Sequence, residues 1–125
     1  MLQAYSLNVT VPAGSVVPFN TVTLQKGCTA ELSGNGSVAL NKCGVYMVSC
    51  DASAAAAATI QLFKDGVALA QAQSTGTSPS FETLVQVDKN NSCCACASPS
   101  ILQLKNAGSS EVTFTDINIV VTKVV

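Results

Sequence analysis

The stretch Thr59-Ile60-Gln61-Leu62-Phe63-Lys64-Asp65-Gly66-Val67-Ala68-Leu69-Ala70 constrains the fold more than any other part of the chain. Two apolar runs meet at an Asp-Gly pair. A two-residue loop between antiparallel strands needs φ > 0 at both central residues, which Gly adopts freely and Asp tolerates. The segment therefore predicts a β-hairpin, and comparable punctuation recurs along the chain. Leu7, Val9 and Val11 alternate with Asn8 and Thr10, a first strand ended by Pro12-Ala13-Gly14. Residues 16–24 read as strand, with Pro18 marking an edge or bulge. Residues 29–33 and 37–41 flank the turn signal Gly34-Asn35-Gly36. Val45 to Cys50 opens a long strand, and Phe81 to Val87 forms another. Ile101 to Lys105 follows, then a turn at Asn106-Ala107-Gly108 and a closing strand from Val112 to Val124. Residues 73–80 and 88–99 read as loops. The run Ala54 to Ala58 is too short to hold a helix without support and sits in β-rich surroundings, so it reads as strand or turn with small side chains at a crowded contact. The count is nine or ten strands, which fits a double-sheet jelly roll.

The 125 residues suit one domain, 1–125, with no linker or internal repeat. Only 10% are charged and 48% are apolar, against about 25% charged in an average domain. So little charge leaves a small monomer short of covering for its surface. Burial of part of that surface against other subunits is the expected resolution. Six lysines and seven acids give a net charge of −1, with no basic stripe, so no nucleic-acid partner is expected. No apolar run approaches about 18 residues, so no membrane span is expected. The N-terminal segment has neither a basic start nor an apolar h-region, and no signal peptide is expected.

The sequence contains no His, which removes the usual general base, triad partner and commonest metal ligand. It contains no Arg, which removes bidentate anion clamps. Its acids are scattered, several of them in turns. No catalytic residue, cofactor site or metal site is expected, and the chain reads as a non-enzyme. Three of the six cysteines stand together as Cys93-Cys94-Ala95-Cys96. Zinc would need a fourth ligand from Cys28, Cys43, Cys50 or a neighbouring chain. A disulfide between Cys28 and Cys43 is compatible with their positions. Without a secretion signal, the default is mostly reduced thiols packed as small hydrophobes. The loop of Cys93, Cys94 and Cys96 is expected to be ordered, with its thiols buried.

The segments also occur in a familiar order: Val17-Pro18-Phe19-Asn20-Thr21-Val22, Gly44-Val45-Tyr46-Met47-Val48-Ser49 and Leu62-Phe63-Lys64-Asp65-Gly66-Val67. Val85-Gln86-Val87-Asp88, Leu102-Gln103-Leu104-Lys105-Asn106 and Ile117-Asn118-Ile119-Val120-Val121 complete the series. Together they resemble the jelly-roll domain shared by tumour necrosis factor, the complement globular heads and bacterial collagen-like spore-surface glycoproteins. The resemblance covers nearly the whole chain. Gly-x-Tyr-x-Val is its most specific piece, and the likeness is greatest to stalkless phage and prophage versions. It departs at residues 89–99, where many members carry a tight Gly-Asp turn, and in having no stalk ahead of the domain.

The resemblance implies an all-β, two-sheet antiparallel sandwich of about ten strands that assembles as a compact homotrimer, one sheet facing the three-fold axis. It then places Val45, Met47, Ser49, Leu84 and Gln86 toward the axis. Tyr46, Val48, Cys50, Phe81, Thr83, Val85 and Val87 point into the core. A one-residue slip would exchange the two sets. The implied function is a virion or appendage component that decorates a particle or binds a receptor, made in the bacterial cytoplasm. The alternatives are a spore- or cell-surface adhesion domain and a secreted receptor ligand. Its partners would be its own copies and a docking site, protein receptor or glycan.

Overall fold

The computed structural model describes residues 1–27, 29–34, 36–87 and 100–125. Among them are ten strands in two five-stranded sheets. Sheet I runs β2 (Thr21–Gln25), β1 (Leu2–Val11), β10 (Val112–Lys123), β5 (Gly44–Ala54), β8 (Ser80–Val87). Sheet II runs β3 (Ala30–Ser33), β4 (Ser37–Leu40), β9 (Ser100–Asn106), β6 (Ala58–Lys64), β7 (Val67–Gly76). Every strand pairing is antiparallel. This is the two-sheet jelly-roll sandwich expected from the sequence.

Period-2 alternation builds the core. Sheet I contributes Leu2, Ala4, Tyr46, Val48, Cys50, Ile117, Ile119 and Val121. Sheet II meets them with Val38, Leu40, Ile60, Leu62, Leu102 and Leu104, and all of these are buried. Full burial of such side chains favours the folded state by about 1.5–3 kcal/mol each. The hairpin at Asp65-Gly66 forms with φ of 51° and 82°, the primed geometry that Asp-Gly predicts. The Asp65 carboxylate also accepts the N–H of Ile101 at 2.8 Å, tying the turn to β9.

Four readings of the chain need correction. Leu7 does not share a face with Val9 and Val11; it is 56% exposed. The parity of β1 resets at Asn8, whose φ is 51°, opposite a bulge between Phe114 and Asp116 of β10. Residues 16–20 are not strand. Val16 makes an isolated bridge to Lys105. Phe19 is buried, and the Pro18 carbonyl accepts the buried Ser6 hydroxyl at 2.5 Å. Residues 73–76 are not loop, because β7 continues to Gly76 after an irregularity opposite Gln61–Phe63. The Gln61 amide bridges that irregularity by donating to the Leu69 carbonyl at 3.2 Å. Finally, the default of a reduced thiol does not hold at Cys43. Cys43 is disulfide-bonded, while Cys50 is free and buried.

Candidate subunit interface

The outward face of sheet I assembles side chains from several strands. Strand register pairs Val45 with Gln86, Met47 with Leu84 and Ser49 with Glu82 across β5 and β8. On the other side of β5, Thr122 pairs with Met47, Val120 with Ser49 and Asn118 with Asp51. Tyr5 and Gln3 of β1 then pair with Asn118 and Val120. The result is an apolar group of Tyr5, Val45, Met47, Leu84 and Val120, bordered by uncharged polar side chains and by the carboxylates of Asp51 and Glu82. Leu84 is 60% exposed, and a shallow depression lies among Met47, Glu82, Thr83 and Leu84. Tyr46, Val48 and Val85 lie on the opposite side of the same strands and are buried. Phe81 and Val87 are half-buried and pack against that core.

Side chains bond to one another on the outward face of sheet II, as Thr10 and Thr113 do at 2.8 Å on sheet I. Thr59 and Thr75 share a hydroxyl hydrogen bond of 2.8 Å. Gln103 donates to the Ser37 hydroxyl at 3.0 Å, and Lys105 sits 4.4 Å above the Phe63 ring. A face whose polar groups are already matched within itself suits water. An apolar group spread over neighbouring strands, with Leu84 exposed and the others half-buried, suits a partner.

Charge is segregated along the strands. Lys26, Lys42 and Lys123 lie at the end where β2 and β10 finish and β5 begins, accompanied by Glu31 at the start of β3. Lys64 at the same end is paired with Asp65 at 3.9 Å. Asp51 and Asp116 lie toward the other end on sheet I, with Glu111 beyond them, and Glu82 sits at mid-height. The Asn118 amide donates to the Asp51 carboxylate. Among the described residues, no three His, Cys, Asp or Glu side chains are grouped to hold a metal. Cys93, Cys94 and Cys96 lie outside the described residues, as does Cys28.

Sequence reasoning missed Tyr5, Val120, Asn118 and Asp51 as members of this face. Alternation with Ile119 and Val121 gives Val120 its outward direction. Its neighbours depend on β1 and β5 flanking β10, a long-range pairing that no local pattern reveals.

The strand order, register and shared core define the class: a jelly roll of the tumour-necrosis-factor type. Solved structures similar to this chain include the globular domain of zebrafish complement 1qA protein, with 10% identity, 95% of this chain and 94% of that chain covered, and a TM-score of 0.68. PRD1 vertex protein P5 is similar at 13% identity, 99% and 96% coverage and a TM-score of 0.65. Rabbit GITRL is similar at 12% identity, 100% and 95% coverage and a TM-score of 0.59. At these identities the likeness is one of fold. No protein-family model matches the chain, and no curated protein matches it.

Proposed function

We propose that the chain is a non-enzymatic structural or binding module that works as a homotrimer, joined through the outward face of sheet I, in the virion or an appendage of a phage or prophage. The observation that carries the trimer is the apolar group of Tyr5, Val45, Met47, Leu84 and Val120 gathered on the outward face of sheet I. Size supports it. Five strands about 4.8 Å apart and about ten residues long at about 3.4 Å each present roughly 800 Å², which is what one partner of a standard interface buries, also about 800 Å². Val45, Met47, Ser49, Leu84 and Gln86 are the proposed contact residues, joined by Tyr5 and Val120.

Similarity to a vertex protein supports the virion reading. The disulfide at Cys43 favours a second one, a secreted or cell-surface role, because disulfides persist where thiols are not kept reduced. Two experiments test the proposal. Met47→Asp is expected to yield monomer with an intact β spectrum, since each chain would replace an apolar contact in the middle of the group with a desolvated carboxylate. A Met47→Asp protein that remains trimeric would rule out this face. Mass spectrometry of particles purified after prophage induction is expected to detect the chain. Its recovery only from spore-coat or cell-wall extracts would transfer the role to surface adhesion.

A further inference from the structure

We propose that assembly through sheet I takes up protons, so that mild acid strengthens the trimer. The inference rests on the trimeric reading above and concerns how that contact is regulated. The titratable groups facing outward from sheet I are Asp51 on β5, Glu82 on β8, Asp116 on β10 and Tyr5 on β1; β2 carries none. Of the described residues, no cationic side chain stands among them; Lys89 lies outside the described residues. Lys26, Lys42 and Lys123 lie at one end of the sandwich, and Lys64 lies in the hairpin at that end. Lys105 points away from sheet I, over Phe63, on the middle strand of sheet II. Glu111 adds a further acid at the end beyond Asp116.

Symmetry turns this segregation into a constraint. Rotation about a three-fold axis carries each subunit onto the next with no displacement along the axis. With the strands running beside the axis, residues at one height meet only residues at the same height. The lysine end therefore meets lysine ends, and the band of Asp51, Asp116 and Glu82 meets copies of itself. Among the described residues, a neighbouring subunit has no base to offer at that level on this face. Like carboxylates brought together and partly desolvated favour their protonated forms. The trimer then binds more protons than three separate chains, and by linkage its stability rises as pH falls.

Sedimentation equilibrium between pH 7.5 and 5.0 tests this. It is run at constant ionic strength, in a urea concentration where monomer and trimer coexist at pH 7.5. The concentration at the midpoint of association is expected to fall by at least about tenfold on acidification, one proton corresponding to about tenfold per pH unit. Asp51→Asn and Asp116→Asn are near-isosteric changes at surface positions, and each is expected to tighten the trimer at pH 7.5 and flatten its pH response. A trimer whose affinity ignores or declines with acid would overturn proton coupling while leaving the interface standing. Monomer at every pH and concentration would overturn both.

Discussion

Asn106 is fully buried and bonds entirely to backbone. Its amide nitrogen donates to the carbonyls of Val11 at 2.9 Å and Ser110 at 3.0 Å, and its oxygen accepts the Gly108 N–H at 3.1 Å. One side chain thus fastens the turn after β9 to the end of β1. Asn106→Ala strands buried backbone groups without partners and is expected to cost about 2–3 kcal/mol, read as a lower urea midpoint. An unchanged midpoint would contradict the bonding scheme. The sequence shows Asn106-Ala107-Gly108 as a turn, but nothing local says that the turn is anchored to Val11. Cys50 is a second buried case. Burial, and secondarily the charge of neighbouring Asp51, push its thiol well up from its ordinary value. The thiol therefore stays protonated through neutral pH. Native Cys50 is expected to resist maleimide and to react rapidly once the protein is unfolded. Fast native labelling at this position would contradict the packing of β5.

At the scale of elements, legibility follows local periodicity. The long strand from Gly44 shows its two faces plainly because its alternation is unbroken, and the Asp65-Gly66 hairpin carries its own turn chemistry. Leu7 escapes the pattern because one residue at positive φ reverses parity, and the cause lies across the sheet in the bulge of β10. Phe19 is core without being strand, since buried segments need not be regular when their polar groups are met, as the Pro18 carbonyl is by Ser6. The outward direction of the set on β5 and β8 is readable from sequence, whereas its neighbours Tyr5 and Val120 require the order β1-β10-β5. The two sheets should respond differently to added charge. Thr75→Lys, on the outward face of sheet II, is expected to leave the assembly mass unchanged and to shift stability by no more than about 0.5 kcal/mol. Loss of assembly from that substitution would place the interface on sheet II instead.

For the molecule as a whole, composition and fold point the same way. A chain that is 10% charged has little with which to cover a separate surface, and sheet I gathers an apolar group on its outward face. Neither names the biological partner, because jelly rolls of this type serve unrelated roles. They motivate the proposal that the functional unit is three chains closed around sheet I. Light scattering on the purified chain at micromolar concentration tests that claim most directly. The account predicts a mass about three times the 12.7 kDa of one chain, and a stable species with the mass of one chain would contradict it.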